Sequence, residues 1–517
     1  MMERAGTPAI ALVGAGPGDP GLLTLRAAEL LRSADLVLFD QLVPRRLLEA
    51  AAPQAECVCV RDLPAQGQDK YPALYTRMFE AARSGLRVVR LKGGDPLVFG
   101  RGGEELEALQ QSGLPYEVVP GVTAALATAA FLDLPLTHRL HTCALAFITG
   151  HELPGKPHSR IEWEHLAKFP GTLAIYMGVA RLPIIVSELQ KHGMPGDTPA
   201  LIAERVSTGE MRSTLATLNT LEASRRTAGL EAPGLILIGE VARYRAAPSW
   251  FEARPLFGRR VLVTRPKHQA AEMVRKLERL GAVPFVLPTL EIRPAPDPAA
   301  VDAVLARLRS DFDWVVFTSA NGVSSIAERL QATGRDLRAF GSVKLAAIGP
   351  KTAAALEHLH LKPDIVPASA FIAEGLVEAL REAVRGQRVL LVRANRGRDH
   401  LPKELAKIAT VESLAAYEQI DAVDSQSEVY ASLRRGEVEF VTLLSSNSAR
   451  ALLGSFEETL VGRVLRGEMK LIAISPETAR VVRELGFPVA GEATTYTADG
   501  VIDAIGRVVS SSSAAAS

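Results

Sequence analysis

Short apolar runs alternate with stretches of helical period along the first half of the chain. Ile10–Val13, Leu36–Phe39 and Val88–Leu91 are apolar almost without interruption. Thr24–Arg32 and Leu74–Ala82 repeat their apolar positions at the spacing of one helix face, and Thr24 is placed to cap the first of them. A strand that does not alternate is buried on both faces, so the pattern predicts a parallel sheet covered by helices. After Pro120 a second series follows: Ala144–Thr149, Thr172–Met177, Ala200–Ala203 and Leu235–Gly239. Two α/β lobes are therefore expected, at about residues 8–118 and 119–244, in a first half covering 1–247. Arg245–Gly258 carries two prolines and no apolar period, which predicts a linker over 245–257.

The second half repeats itself. Val315–Asn321 (VVFTSAN) matches Val441–Asn447 (VTLLSSN) at an offset of 126, and Ile348–Thr352 (IGPKT) matches Ile474–Thr478 (ISPET) at the same offset. Val261–Arg265 resembles Val389–Arg393 at 128, and Glu374–Leu376 resembles Asp499–Val501 at 125. Four segments in one order at nearly one offset predict two similar lobes. We place them at about 258–293 plus 422–508 and at about 297–418, with a ligand cleft between them. The serine-rich end, 509–517, is expected to be disordered.

Composition narrows the chemistry. The 517 residues suit several compact units, and 47% hydrophobic with 23% charged residues excludes global disorder. A net charge of +1 gives no reason to expect nucleic acid or an anionic membrane surface. Of 59 basic residues 13 are lysines, leaving 46 arginines, a bias suited to forked binding of carboxylates. Cys57, Cys59 and Cys143 have neither CxxC spacing nor histidine partners, so no metal site and no disulfide framework is expected. Free thiols, no apolar run of membrane-spanning length and no signal peptide fit a cytoplasmic protein.

The first half carries a series of glycine-rich turns. Gly14-Ala15-Gly16-Pro17-Gly18-Asp19 follows the first strand, but a dinucleotide fingerprint needs glycine where Asp19 stands, and no helix opens inside the turn. Leu91-Lys92-Gly93-Gly94-Asp95-Pro96 ends a second strand, followed by Phe99-Gly100-Arg101-Gly102-Gly103-Glu104-Glu105. Pro120-Gly121-Val122-Thr123-Ala124-Ala125, Pro135-Leu136-Thr137-His138-Arg139, Thr149-Gly150-His151 and Ile175-Tyr176-Met177-Gly178 complete the series. With these motifs in this order, residues 8–244 resemble a uroporphyrinogen-III C-methyltransferase of the tetrapyrrole methylase superfamily. The resemblance implies S-adenosylmethionine held between the two lobes and a homodimer formed through this half. Carried over by position, the cofactor contacts are Gly14, Gly16, Pro17, Gly93, Gly94, Asp95, Val98, Thr123, Ala124, Met177 and Val206. Asp40 matches the family's catalytic base, and Arg139 is a candidate for the substrate. The family's Gly-Lys-Arg is replaced by Arg61-Asp62-Leu63, with Gly67 in the place of a histidine.

In the second half, Ser/Thr/Asn residues recur where strands end and helices begin: Ser319 and Asn321, Thr352, Ser446 and Asn447, and Thr478. Helix N-termini of this kind offer amide donors to anions. With Arg265, Arg393, Arg396 and Arg398 they make a candidate cleft for a polycarboxylate. These segments together resemble uroporphyrinogen-III synthase over about 258–508, and Tyr417 falls on that family's tyrosine at the lobe junction. The resemblance implies a reaction that needs no cofactor.

The two resemblances imply an α/β chain: a tetrapyrrole-methylase fold of two lobes, then a bilobed synthase with pseudo-duplicated parallel-sheet lobes. They imply a bifunctional enzyme that dehydrates and cyclises hydroxymethylbilane to uroporphyrinogen III. It would then methylate that product at C2 and C7 to precorrin-2, on the sirohaem or cobalamin branch. Two rival expectations are a methyltransferase for a later corrin intermediate and a non-catalytic tetrapyrrole-binding regulatory protein, the latter supported by Asp62.

Overall fold

The structure, a computed structural model, describes residues 8–65, 70–151, 161–368, 372–397 and 399–514. Gly67 and Arg398 lie outside these residues. The chain divides into two compact units, Met1–Gly258 with Leu280–Val283, and Arg259–Arg279 with Pro284–Ser517.

The first unit contains two sheets. β1 (Ile10–Gly14), β2 (Leu36–Phe39), β3 (Glu56–Cys59), β4 (Val88–Lys92) and β5 (Tyr116–Val119) pair in parallel in the order β3-β2-β4-β1-β5. Every residue of β1, β2 and β4 is buried, as their unbroken apolar runs require. Helix Leu25–Ser33 begins at Thr24, whose Oγ1 accepts from Ala27 N at 3.1 Å, the cap expected from its sequence.

The second sheet departs from expectation. β6 (Leu145–Thr149) and β7 (Thr172–Tyr176) are parallel, but β8 (Pro199–Glu204), β9 (Arg212–Thr217) and β10 (Gly234–Ile238) join antiparallel, in the order β6-β7-β10-β8-β9. Apolar content reports burial and says nothing of strand direction. β9 escapes a hydropathy reading because none of its residues is buried.

The expected linker is part of the first unit. Ser249, Phe251 and Leu256 are buried, and the Phe251 ring packs edge-on against Phe131 at 4.8 Å between centroids. Arg245 pairs with Glu252 at 2.6 Å, and Trp250 Nε1 donates to Ala130 O at 2.7 Å. Sparse apolar residues without a period concealed a segment fixed by a few aromatic anchors.

The second unit also has two sheets. β11 (Arg260–Val263) and β12 (Val283–Val286) share one sheet with three later strands, whereas β13 (Leu290–Pro294) belongs to the other sheet. The remaining strands are β14 (Trp314–Phe317), β15 (Lys344–Ala347), β16 (Arg388–Ala394), β17 (Thr410–Asp421), β18 (Phe440–Leu443), β19 (Lys470–Ala473) and β20 (Gly491–Glu492). The orders are β12-β11-β18-β19-β20 and β13-β17-β16-β14-β15. The internal duplication is visible in both: β11-β18-β19 and β16-β14-β15 are matching parallel triplets. β13 pairs antiparallel with β17, so Leu290–Arg293 sit in the sheet of the other lobe from the one expected. Helix Ala498–Ala514 continues through the serine run that was expected to be disordered.

Candidate functional site

In the first unit, the turns after β1, β4 and β5 lie against one another. Ala15 N donates to Lys92 O at 2.7 Å, while Gly16 and Gly94 exchange backbone bonds at 3.1 and 2.8 Å. Asp95 closes the cluster: Oδ1 accepts from Leu97 N at 2.9 Å and Oδ2 from Gly121 N at 3.1 Å. Glycine is required for this packing. A Cβ on Gly14 would meet Gly121 N at 2.5 Å, and one on Gly121 would meet Gly94 O at 2.2 Å. Gly94 also has φ +64°, where a side chain is strained. Gly93 has open space instead, with only Leu42 Cβ near, at 3.8 Å.

The second lobe reaches this cluster through Tyr176, at the end of β7. Its hydroxyl bonds Thr123 Oγ1 at 2.8 Å and accepts from Ala125 N at 3.0 Å, so it caps helix Ala124–Phe131 in place of the Thr123 side chain. Its ring packs against Phe99 at 5.1 Å and Phe147 at 5.7 Å between centroids. Burial holds the phenol's pKa above the usual range. Met177, next in the chain, is exposed with φ 54°.

The structure thus joins Gly14, Gly16, Gly94, Asp95, Thr123, Ala124 and Met177 around one set of turns. Pro17 and Val98 are half-buried beside them in sequence, and Val98 N donates to Asp95 O at 3.3 Å. Val206 differs: it is buried in the core with Leu22 and Tyr176. Arg139 is exposed on the loop closed by His138 and Thr142.

Asp40 lies at the end of β2 and faces two buried cations. Arg90 Nη2 approaches its Oδ1 at 2.5 Å and Lys92 Nζ its Oδ2 at 3.6 Å. Glu105 lies behind them, 3.0 Å from Arg90 and 2.6 Å from Lys92. The Arg90, Lys92 and Glu105 side chains are 1%, 1% and 0% exposed, whereas Asp40 is 31% exposed and is the member of the quartet that meets solvent. Burial alone would lower the Arg90 pKa, but Asp40 and Glu105 outweigh it and the guanidinium is held above its usual range. Tyr71 and Tyr75 stand on the neighbouring helix, with Arg101 stacked over the Tyr71 ring at 3.7 Å. Burial, then Glu105, pushes Tyr75 up to about 12.

Asp62 is exposed and pairs with its neighbour Arg61 at 3.4 Å. The Lys70 ammonium, which donates to the Arg61 carbonyl, adds a second cation beside it.

In the second unit, the candidate residues form a polar seam between the lobes. The Tyr417 hydroxyl bonds Ser319 Oγ at 2.8 Å, and Ser319 in turn accepts from Gly322 N at 3.1 Å, capping helix Ala320–Ala332. Asn321 accepts from Gln269 Nε2 at 2.9 Å, and Asn447 donates to Gln419 Oε1 at 2.9 Å. Each of these two bonds runs from one lobe to the other. Tyr417 is 3% exposed and burial raises its pKa, with Ser319, Gln419 and Asn321 opposing, so the phenol stays neutral at physiological pH.

Ser446 is half-buried at the start of its helix, which Ser445 caps. Arg265 is half-buried, forms no ion pair among the described residues, and has its pKa lowered by burial with Glu272 opposing. Arg393 leans toward Asp399 at 3.5 Å. Thr352 and Thr478 are buried, and Thr478 is enclosed in the cap made by Ser475. Sequence reasoning missed Arg90, Glu105, Tyr176, Gln269 and Gln419 as site residues. For Arg90, and for Lys92 on the same strand, a signal existed, since basic residues in a strand of otherwise apolar, buried positions demand buried partners.

Comparison with known proteins follows the same division. A family model described as tetrapyrrole (corrin/porphyrin) methylases matches residues 9–222, and one described as uroporphyrinogen-III synthase HemD matches residues 271–503. The "Porphyrin biosynthesis protein HemD" of Ruminiclostridium josui is 33% identical over 500 residues, covering 96% of this chain and 97% of that protein. The "Uroporphyrinogen-III C-methyltransferase" of Priestia megaterium is 42% identical over 233 residues, covering 45% of this chain and 98% of that protein. A crystal structure of the Thermus thermophilus uroporphyrin-III C-methyltransferase, complexed with S-adenyl homocysteine, aligns at 42% identity and a TM-score of 0.39, covering 45% of this chain and 98% of that one. The chain belongs to the fused porphyrin-biosynthesis proteins that join a tetrapyrrole methylase to a uroporphyrinogen-III synthase.

Proposed function

We propose that the second unit dehydrates and cyclises hydroxymethylbilane to uroporphyrinogen III, and that the first unit methylates this product at C2 and C7 to precorrin-2. The observation that carries the reading is Asp40: a solvent-facing carboxylate, fixed by two buried cations, in the sheet whose other strand ends carry the glycine turns. The open side of Gly93 and the exposed Met177 leave backbone accessible, which fits S-adenosylmethionine. Gly14, Gly16, Pro17, Gly93, Gly94, Val98, Thr123, Ala124 and Met177 would hold it, with Asp95 fixing the turns and Val206 buried in the core with Tyr176. When bound, the cofactor supplies an electrophilic methyl group. The protein positions an electron-rich pyrrole carbon, and Asp40 accepts the proton that carbon loses. Arg139 is a candidate to meet a substrate carboxylate.

In the second unit, the neutral Tyr417 phenol donates toward the departing hydroxyl of the bilane or steadies its folded form. Ser319, Asn321, Ser446 and Asn447 supply neutral hydrogen bonds, and Arg265 and Arg393 supply cations for the carboxylates. Thr352 and Thr478 shape the helix starts rather than touch substrate. The first unit forms a homodimer in this reading. A substrate panel tests the transferase assignment. Methyl transfer to uroporphyrinogen III, with none to later corrin intermediates, supports it, and the reverse preference contradicts it.

A further inference from the structure

The buried quartet behind Asp40 is balanced: two cations, Arg90 and Lys92, against two carboxylates, Asp40 and Glu105. Three of these charges are out of water, where an unpaired ion is strongly unfavourable, and only Asp40 meets solvent. Simple anchoring of Asp40 would need one cation. The structure spends two, and then places Glu105, 0% exposed, within 3.0 Å of both. Glu105 makes no contact with the solvent-facing side. We infer that Glu105 is a positioning residue for methyl transfer: by sharing Arg90 and Lys92 it limits how strongly they hold Asp40 as a carboxylate, and so keeps Asp40 basic enough to take the proton.

The inference rests on the reading of Asp40 as the base. Charged and titratable groups face Asp40 from three elements. They are Arg90 and Lys92 on β4, Glu105 through them from helix Gly102–Ser112, and Tyr71 on helix Tyr71–Arg83 with Arg101 stacked over its ring. With Glu105 charged, Arg90 and Lys92 leave one net positive charge beside Asp40; removing the Glu105 charge raises this to two. A carboxyl beside added positive charge loses its proton more readily and becomes a weaker base. Removing the Lys92 charge does the opposite.

The test uses the full chain with uroporphyrinogen III and S-adenosylmethionine, and reads kcat/KM against pH. For Glu105→Gln the acid limb should move to lower pH by about one unit and the maximal rate should fall about ten-fold or more. The KM for S-adenosylmethionine should stay within about two-fold. Lys92→Gln should move the limb to higher pH, and the Glu105→Gln/Lys92→Gln double variant should return it toward wild type. If Glu105→Gln does not fold, the opposite shift in Lys92→Gln and its cancellation in the double variant decide the matter. Coincident acid limbs in every folded variant would overturn the inference, as would a double variant displaced further than either single one. Asp40→Asn separates this from the underlying assignment. If that variant transfers methyl groups normally, Asp40 is not the base and both readings fall. If it is inactive while the limbs stay fixed, only the role of Glu105 falls.

Discussion

The two units build their candidate sites in different ways. The first unit places full charges out of water: Arg90, Lys92 and Glu105 are buried and Asp40 alone emerges. The second builds its seam from neutral groups: Gln269 with Asn321 and Asn447 with Gln419 bond from one lobe to the other, and Tyr417 bonds Ser319 within one lobe beside them. The difference matches the chemistry proposed for each. Removing a proton from carbon needs a base whose charge state is set by its surroundings. Folding a flexible bilane and releasing water needs hydrogen-bond geometry, and a phenol that burial keeps neutral serves that end.

The sharpest way to break the comparison is to ask whether each unit stands alone. A fragment of residues 1–247 loses Phe251, which is 1% exposed in the core of the second lobe. Losing a buried phenylalanine side chain costs about 3–5 kcal/mol, a large share of a domain's stability. Residues 1–258 should be soluble and bind S-adenosylmethionine, whereas 1–247 should aggregate or melt far lower, by differential scanning fluorimetry. Equal melting of the two fragments would show that the segment after Tyr244 is only a tether.

Asp40→Asn should cut methyl transfer by roughly 10²-fold or more, the scale of a lost general base, with S-adenosylmethionine affinity within a few-fold by calorimetry. Synthase turnover should be unchanged. Loss of both activities would mean that the quartet holds the fold rather than the chemistry.

A smaller effect is expected at the neutral seam. Tyr417→Phe keeps the ring but removes the bond to Ser319, so stability should fall by about 1–2 kcal/mol. Synthase turnover should drop about ten-fold with little change in KM. Because burial holds the phenol pKa above its ordinary value, wild-type synthase turnover should not decline through loss of this proton in the mildly alkaline range. A decline near pH 8 that Tyr417→Phe abolishes would contradict the neutral-seam account.

The smallest effect belongs to Asp62. Its exposed pairing with Arg61 is worth little, and solvent screens it. Asp62→Lys should raise kcat/KM for uroporphyrinogen III by no more than a few-fold, most at low salt. A gain beyond ten-fold at physiological salt would place this carboxylate against the substrate.

Legibility in the sequence followed physical signal. Unbroken apolar strands such as Leu36–Phe39 and the cap at Thr24 were readable because burial and capping leave local marks. The duplication was readable because two lobes of one topology need the same strand-to-turn residues at one offset. Strand direction in β8–β10 left no such mark, and β9 is too exposed to show a hydropathy pattern. The glycine turns were legible, since close approach of three backbones admits nothing else. The charge quartet was not, because Glu105 lies 15 residues from Arg90 and only the fold joins them. Tyr176 was hidden for the same reason: its hydroxyl caps a helix that begins 52 residues earlier in the chain, at Ala124.

The central claim is that one chain performs two consecutive steps. The most direct test supplies hydroxymethylbilane to the full-length protein with and without S-adenosylmethionine and identifies the products by mass, by absorbance and by chromatography that separates the type III isomer from the type I isomer of uninverted closure. Uroporphyrinogen III should form without the cofactor, and the dimethylated precorrin-2 should form with it. Ring closure with no methylated product under anaerobic conditions, or no closure at all while added uroporphyrinogen III is methylated, would contradict the account.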